Sequence, residues 1–149
     1  MDINPASDAD YIMSSDSYFA NYHQKFDIIF IDGLHLYEQV LKDIINALHH
    51  LNEGGVIVMH DCLPTREEYQ YRDRVTGSWN GDVWKAYYLY KQISQYDCYV
   101  IDQDWGCAVI DTNLKKVRRD SDPEDITMLD WKFFCENKDS KFNIKQDVQ

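Results

Sequence analysis

Acidic and histidine side chains follow each of two strongly apolar stretches of the sequence. Asp32 and His35 come after FDIIFI, and His60 and Asp61 come after VIVM. If both stretches are parallel strands, their carboxyl ends share one edge of the sheet, where open sheets bind ligands. Neighbouring strands lie about 4.8 Å apart, so the two tips can converge. Carboxylate oxygens with an imidazole nitrogen predict a Mg²⁺ or Mn²⁺ site at Asp32, His60 and Asp61.

Less specific interpretations of these residues also exist. An aspartate at a strand end often caps the following helix, and a histidine there is often a hydrogen-bonded surface group. The presence of both residue types at two strand ends favours the cation site over these alternatives. Gly33 would allow the main chain to pass close to a ligand. His49 and His50, on the helix between the strands, are interpreted as solvated surface.

Hydrophobic periodicity indicates two strands joined by a helix. The first strand is predicted over Asp27–Ile31 and the second over residues 56–59. Between them, apolar residues at helical spacing run from Val40 to Leu51, and the sequence NEGG is predicted to end the helix. Strands that are apolar at every position are typical of a parallel sheet covered on both faces.

The remaining sequence completes an α/β pattern. Residues 63–81 are predicted to form a long polar loop, and Asp82 to cap a helix over residues 83–94. Apolar segments on either side of DQDWG predict an antiparallel hairpin. A final helix is predicted with Asp122 as N-cap, Pro123 as its first residue and an apolar face. That face comprises Ile126, Leu129 and Phe133.

Length and composition predict a single domain over residues 1–149. The formal charge of −11 argues against nucleic acid or an anionic membrane surface as the main partner. No signal peptide is recognised, and no apolar run approaches the ~20 residues of a membrane span. The four cysteines are widely spaced, which predicts neither a zinc knuckle nor a disulfide framework. The expected location is the reducing cytoplasm.

The segment FDIIFIDGLHLYEQVLKDIINALHHLNEGGVIVMHDC resembles the fourth strand, next helix and fifth strand of class I S-adenosylmethionine-dependent methyltransferases. The group in question carries IDG-x-H-x-Y and a strand that ends in HD. WNGDVWKAYYLY and YDCYVIDQDWGCAVID resemble its following helix and terminal antiparallel hairpin, and MDINP and YIMSSD resemble its second and third strands. The resemblance covers residues 1–111 and leaves 112–149 as a linker and C-terminal helix. It implies a Rossmann-like, mostly parallel sheet.

The resemblance also implies a cofactor site near the N-terminus. Asp2 would bind the ribose of S-adenosylmethionine, and Ser15 and Asp16 would lie near its adenine. The family's first strand and glycine-rich loop should precede MDINP, and no G-x-G-x-x-G occurs in the sequence. The expectation is therefore a truncated Rossmann-like fold that binds the cofactor poorly on its own.

Metal-dependent relatives use a cation to orient an acceptor hydroxyl and lower its pKa. Carried over by position, Asp32, His60 and Asp61 would be the metal ligands, and Asp32 would also be catalytic. His35 would act as general base, because an imidazole pKa of about 6.5 suits proton abstraction. A purely hydrogen-bonding role for His35 is the alternative.

Three functions are compatible with this sequence. The first is O-methyl transfer from S-adenosylmethionine to a small molecule or sugar, by the whole enzyme or by its catalytic half. The second is a catalytically silent, methyltransferase-like module for binding or assembly. The third, least favoured, is a metal-dependent hydrolase that uses the same Asp and His residues.

The resemblance has a consequence for assembly. The family's strand order is 3-2-1-4-5-7-6, so without its first strand the segment Asp27–Ile31 becomes the edge of the sheet. This edge is apolar and has neither proline nor lysine. Because such edges pair readily with other chains, the sequence predicts a homo-oligomer that buries the Asp27–Ile31 edge or exchanges the N-terminal segment.

Overall fold

A computed structural model of the chain describes residues 1–116 and 122–146. The helices are α1 (Ser15–Asn21), α2 (Tyr37–His50), α3 (Val83–Ile93) and α4 (Trp131–Lys141). The strands are β1 (Phe26–Ile31), β2 (Leu51–Met59), β3 (Tyr96–Ile101), β4 (Cys107–Lys115) and β5 (Ile144–Lys145). Short 3-10 turns lie at Glu67–Gln70 and Ile126–Met128. No helix in these two ranges has the length and apolar character needed to cross a membrane.

The five strands form one mixed sheet in the order β1-β2-β4-β3-β5. β1 pairs with β2 in parallel, as predicted, and β3 pairs with β5 in parallel. β4 is antiparallel to both of its neighbours, so the predicted hairpin is confirmed. The prediction of a mostly parallel sheet is wrong, because the hairpin inserts β4 beside β2. The order β1-β2-β4-β3 agrees with the 4-5-7-6 order that the resemblance implies.

α2 connects the two parallel strands and buries one side. Val40, Ile44 and Ala47 are at most 2% exposed and pack against the sheet. The helix ends at His50, and β2 begins at the next residue. Leu51 was predicted to be helical, but its main chain is extended and it pairs with Phe26 of β1. The parallel pairing of β2 with β1 therefore begins at this residue. The NEGG sequence therefore lies inside β2 and does not end the helix.

The two adjacent histidines of α2 have different environments. His49 is exposed, as predicted. The interpretation of His50 as solvated surface is wrong, because this side chain is only 8% exposed. Its Nδ1 lies 2.7 Å from the carbonyl oxygen of Asn46, and its Nε2 lies 2.9 Å from that of Tyr22. His50 therefore links α2 to the residue that follows α1.

The sheet has one covered and one open face. The residues that pack against the helices are Ile29, Ile31, Ile57, Met59, Cys98, Val100, Ala108 and Ile110. On the opposite face, Ile28 and Phe30 of β1 are 67% and 57% exposed, Val56 and Val58 of β2 are half-buried, and Val109 of β4 is buried. The expectation of a sheet covered on both faces is therefore wrong for the described residues.

The C-terminal helix begins later than predicted. Residues 122–125 are not helical, and α4 begins at Trp131, where the Asp130 carboxylate accepts a hydrogen bond from the Phe133 N–H at 2.8 Å. Asp122 and Pro123 fit the local preferences of a helix start, but tertiary packing decides the position. Phe134 of α4 packs against the buried Trp84 of α3, with ring centroids 5.2 Å apart.

The N-terminal residues pair with one another outside the main sheet. Asp2 and Ile12 form an isolated parallel bridge, with hydrogen bonds from the Asp2 N–H to the Tyr11 carbonyl and from the Met13 N–H to the Asp2 carbonyl. This pairing agrees with the neighbouring second and third strands that the resemblance implies. Neither segment joins the five-stranded sheet in the described ranges.

Candidate metal centre

The carboxyl ends of β1 and β2 bring together all four side chains that the sequence singled out. His35 Nε2 lies 3.3 Å from Asp32 Oδ1 and 3.3 Å from Asp61 Oδ2. His60 Nδ1 lies 3.6 Å from Asp32 Oδ1 and 3.2 Å from Asp61 Oδ2. The side chains at the ends of β1 and β2 therefore lie close together, as predicted. Asp32, His35 and Asp61 each offer one ligand atom within 4.8 Å of the others.

The orientation of His35 decides which of its nitrogens faces the carboxylates. Its Nδ1 lies 2.8 Å from the main-chain carbonyl oxygen of Trp79, and its ring stacks on the Trp79 indole at a centroid distance of 5.0 Å. Because a carbonyl oxygen can only accept, Nδ1 carries the hydrogen. Nε2 is then the nitrogen that faces the two carboxylate oxygens, and without a hydrogen it directs a lone pair toward them. That arrangement is unfavourable unless a proton or a metal ion lies between them.

Asp61 is the most constrained of the four residues. It is 6% exposed and has φ of +65°, in the left-handed region that residues with a side chain rarely adopt. Burial raises the pKa of its carboxyl, although the neighbouring His35 and His60 oppose this shift. Because a buried charge is costly unless it is paired, a positive charge next to the ionised Asp61 carboxylate would stabilise it.

Asn80 anchors Asp61 and was missed by the sequence analysis. Its Nδ2 donates to Asp61 Oδ1 at 2.6 Å, and its side chain is 1% exposed. The Asn80 N–H donates to the Tyr69 carbonyl at 2.8 Å, which fixes this residue within the long loop. In the described ranges the Asn80 Oδ1 atom has no hydrogen-bond partner. The sequence signal for this role is weak: Asn80 is a polar residue between Trp79 and Gly81 in WNGD.

The loop at residues 63–82 closes over the strand tips through its last residues. The Asp82 N–H donates to the His35 carbonyl at 3.1 Å. Gly81 has φ of +58°, and a Cβ there would overlap the same carbonyl oxygen. Glycine is therefore required at this position for His35 to keep its place.

Asp82 does not cap α3 as predicted. It occupies the N-cap position of α3, but its carboxylate makes no capping hydrogen bond to that helix. Oδ1 instead accepts from the Tyr37 N–H at 2.8 Å, at the start of α2, and Oδ2 accepts from Arg72 at 2.6 Å. The side chain is 3% exposed, so this pairing neutralises a buried charge. One carboxylate thus joins the loop to the helix that follows His35.

His60 lies between three carboxylates. In addition to its two neighbours, its Nε2 is 3.2 Å from Asp104 Oδ2 in the β3–β4 turn. Burial of His60 works against a positive charge, but Asp61, Asp32 and Asp104 outweigh it and raise the imidazole pKa. Neither ring nitrogen makes a well-aligned hydrogen bond to a described residue.

The centre is open on the side of β1. The Asp32 side chain is 44% exposed, whereas that of Asp61 is 9% exposed. A Cβ added at Gly33 would meet no atom within 4 Å. The fold itself therefore leaves free space beside Asp32, consistent with the expectation that a ligand approaches there.

The predicted cofactor residues lie apart from these tips in sequence and are held locally. Asp2 Oδ1 accepts from the Asn4 N–H at 2.8 Å. Ser15 and Asp16 form the first turn of α1, where Gln39 of α2 donates to the Asp16 carboxylate at 3.1 Å. In the described ranges, no hydrogen bond joins Asp2 to Ser15 or Asp16. Their role in cofactor binding remains a prediction.

Comparison with known proteins gives one informative result. Residues 9–62 match a family model described as a methyltransferase domain. The matched segment runs from the N-terminal bridge through α1, β1, α2 and β2, and it contains Asp32, His35, His60 and Asp61. This match supports a methyltransferase domain. It covers little more than a third of the chain, and the mixed α/β sheet is compatible with a Rossmann-like methyltransferase fold. No curated protein matches the chain.

Proposed function

We propose that this domain takes part in metal-dependent methyl transfer from S-adenosylmethionine to a hydroxyl of a small molecule or sugar. The observation that carries the proposal is the unsatisfied arrangement at the strand tips. There Nε2 of His35 faces the carboxylates of Asp32 and Asp61 at 3.3 Å, and in the described ranges neither ring nitrogen of His60 has a hydrogen-bond partner. The methyltransferase match supports the type of reaction.

The residues present fit a divalent cation. Asp32, His35 and Asp61 offer two carboxylate oxygens and one nitrogen within 4.8 Å of one another. This mixture suits Mn²⁺ and, with retained waters, Mg²⁺. Trp79 orients His35 and Asn80 orients Asp61, as outer partners do around metal ligands. His60 would be a fourth ligand or a charged neighbour.

When bound, the cation would supply a positive charge that lowers the pKa of an acceptor hydroxyl. The protein itself holds the ligand side chains in place and leaves space for the acceptor. Asp61 and His35 are fixed by the loop, and the free space at Gly33 admits the acceptor from the side of Asp32. In the reaction the acceptor hydroxyl would pass its proton to the neutral imidazole of His60, and its oxygen would bond to the methyl group as the bond from that group to the donor sulfur breaks.

His35 has a single free nitrogen, so it cannot hold the cation and take a proton at once. Its distances to Asp32 and Asp61 favour the ligand role in our proposal. His60 is then the second imidazole beside the acceptor position. The earlier assignment of His35 as general base remains the alternative.

The methyl donor is proposed on the N-terminal side of the site. Asp2 and Asp16 each use one carboxylate oxygen in a hydrogen bond, to the Asn4 N–H and to the Gln39 side chain respectively. The second oxygen of each has no partner among the described residues and is available to a ligand. Aspartate at the end of a strand can accept hydrogen bonds from ribose hydroxyls.

Manganese binding tests the centre without requiring turnover. Electron paramagnetic resonance of free Mn²⁺ should show one bound equivalent for the wild-type chain. Asp32→Asn and Asp61→Asn should remove it, and Asn80→Leu should weaken it about 10- to 100-fold by releasing Asp61. His49→Ala changes an exposed histidine outside the site and should bind normally. Equal binding by wild type and both aspartate variants would overturn the proposal.

Calorimetry with S-adenosylmethionine tests the second part. Because the sequence has no glycine-rich cofactor loop, we expect weak binding, which Asp2→Ala or Asp16→Ala weakens further while Mn²⁺ affinity stays unchanged. Metal binding without any cofactor binding would favour the catalytically silent module. Release of phosphate from a generic phosphoester, lost in Asp61→Asn, would favour the hydrolase.

A further inference from the structure

A cavity of about 410 Å³ lies between the long loop and the first turns of α3 and α4. Residues within 67–75 line it from the loop, and Asp82, Lys85 and residues 129–131 line it from the starts of the two helices. Its volume lies in the range of small-molecule sites. The Asp82 side chain lines this cavity, whereas the Asp82 N–H donates to the His35 carbonyl at 3.1 Å. This Lys85 cavity therefore adjoins the metal centre without sharing its four side chains.

The Lys85 ammonium has no hydrogen-bond or ion-pair partner in the described ranges. The Lys85 N–H donates to the Asp82 carbonyl at 3.0 Å, but within residues 1–116 and 122–146 Nζ makes neither kind of contact. Nζ lies 5.5 Å from the centroid of the Trp84 ring. Burial lowers the pKa of this ammonium, and Arg72 adds to the shift although nearby carboxylates oppose it. Because a partly buried cation without a partner loses hydration, an anion in the cavity would stabilise it.

The other charged groups beside Lys85 already have partners. Arg72 donates to Asp82 at 2.6 Å and to both carboxylate oxygens of Glu38 at 3.1 Å. The second oxygen of Asp82 accepts from a main-chain N–H at the start of α2, and one oxygen of Asp130 caps α4. Among the described residues that line the cavity, Lys85 is thus the cation whose side-chain donors are all free for a ligand.

We propose that the Lys85 cavity binds a small organic molecule that carries one carboxylate, with the Lys85 ammonium donating hydrogen bonds to that carboxylate. Other side chains of the cavity offer apolar surface for the rest of the molecule: Tyr71, Val75, Leu129 and Trp131. Apolar walls with a charged group that fixes orientation are typical of ligand sites. This binding requires no step of methyl transfer, so the proposal goes beyond that reaction.

The charge around the cavity favours a carboxylate over a phosphate group. Four acidic side chains line the cavity beside Arg72 and Lys85, namely Glu67, Asp73, Asp82 and Asp130. One unpaired ammonium balances one negative charge, whereas the second charge of a phosphate would be repelled by these carboxylates. The formal charge of −11 on the whole chain adds to that repulsion. A monocarboxylate is therefore the anion that fits this cavity best.

Benzoate is a suitable probe, because it joins one carboxylate to an apolar ring. Ligand-observed NMR on the full chain, with EDTA to remove metal ions, measures its binding. We expect a Kd of about 1–10 mM, as befits a small ligand held by one ion pair. Benzylammonium has a similar ring and the opposite charge, and it should not compete with benzoate.

Lys85→Met removes the ammonium and keeps an apolar chain of similar length, so it should weaken benzoate binding about tenfold or more. Lys85→Arg keeps the positive charge and should restore part of the affinity. Lys132→Met is the matched control, because Lys132 is an exposed lysine of α4 that does not line the cavity. Asp61→Asn disables the proposed metal centre and should bind benzoate as wild type does. A failure of this proposal is thus distinguishable from a failure of the metal centre.

NMR of lysines that carry isotope-labelled methyl groups provides a readout on Lys85 itself in the wild-type chain. Its ammonium should titrate at a lower pH than that of Lys132, and benzoate should raise that pH because the anion stabilises the charged form. Circular dichroism melting identifies any variant that fails to fold, and the wild-type titration then decides. The proposal would be overturned by benzoate binding that Lys85→Met retains in full, by no binding at about 50 mM benzoate, or by tighter binding of inorganic phosphate.

Discussion

At the scale of single residues, Asp61 combines two unfavourable conditions. Its carboxylate is almost fully buried, and its main chain lies in the left-handed region. Such a conformation costs roughly 1–3 kcal/mol for a residue other than glycine, and it persists where the surroundings fix it. Here the fixing group is Asn80. The strain and the buried charge together reduce stability, and they support the proposal that Asp61 is a ligand of the metal.

Asp61→Asn should therefore stabilise the metal-free protein. Asparagine tolerates the left-handed conformation and removes the buried charge, so the free energy of unfolding should rise on the order of 1 kcal/mol. The same change should abolish stabilisation by Mn²⁺. Urea titrations with and without Mn²⁺ measure both effects. Asp104→Asn is the control, because Asp104 also has a positive φ of 44° but a 77% exposed side chain, and its replacement should change little.

Asp43 provides a pH-dependent prediction away from the site. This α2 residue is 4% exposed, and burial raises the pKa of its carboxyl although Gln39 donates to it at 3.1 Å. A raised folded-state pKa means that the folded chain binds the proton more tightly. Asp43 therefore favours folding most at pH below the ordinary carboxyl pKa of about 3.9, and this contribution is lost as pH rises through the folded pKa.

Asp43→Asn should accordingly raise the melting temperature at neutral pH. Near pH 3 the two proteins should melt together, because Asp43 is then protonated in both folded and unfolded chains. Thermal melts of wild type and variant between about pH 3 and 7.5 give the comparison. A variant that is less stable at neutral pH would show that the ionised carboxylate has a stabilising role here.

At the scale of elements, the loop at residues 63–82 determines whether the strand tips form a site. Asp82 fixes the first turn of α2 and pairs with Arg72 of the loop. Asp82→Ala should cost about 1–2 kcal/mol of stability through loss of the cap, with a further penalty from the unpaired Arg72. It should also weaken Mn²⁺ binding, because the loop that carries Trp79 and Asn80 is then no longer tied to α2 by the Asp82 carboxylate. Asp73→Ala, an exposed aspartate of the same loop, is the control for both measurements.

Those elements also show what the sequence could predict. Continuous apolar runs identified β1 and β2, and the residues directly after them identified all four side chains at the tips. Trp79, Asn80 and Asp82 were not recognised as partners of the site, because about 45 residues of chain separate Trp79 and Asp82 from the residues they contact. The start of α4 was wrong for the same kind of reason. Local preference favoured Asp122, whereas packing of Phe134 on Trp84 fixed the helix later.

At the scale of the whole molecule, the two faces of the sheet differ in how much of each is covered. All the helices that bury sheet residues do so on one face, while the open face keeps Ile28 and Phe30 in water. The strands nevertheless have the apolar sequences of a sheet covered on both sides. The described residues thus leave apolar side chains of β1 in contact with water.

This open face should be visible in the heat capacity of unfolding. Heat capacity rises on unfolding because apolar surface enters water, at about 12–15 cal/mol/K per residue, which amounts to about 1.8–2.2 kcal/mol/K for a chain of 149 residues. Ile28 and Phe30 already lie in water in the folded chain, so unfolding exposes less new apolar surface than it would for a sheet covered on both faces. Calorimetry should therefore give a value in the lower part of that range. The chain should accordingly have a flatter stability curve, with a weaker temperature dependence of its enthalpy of unfolding.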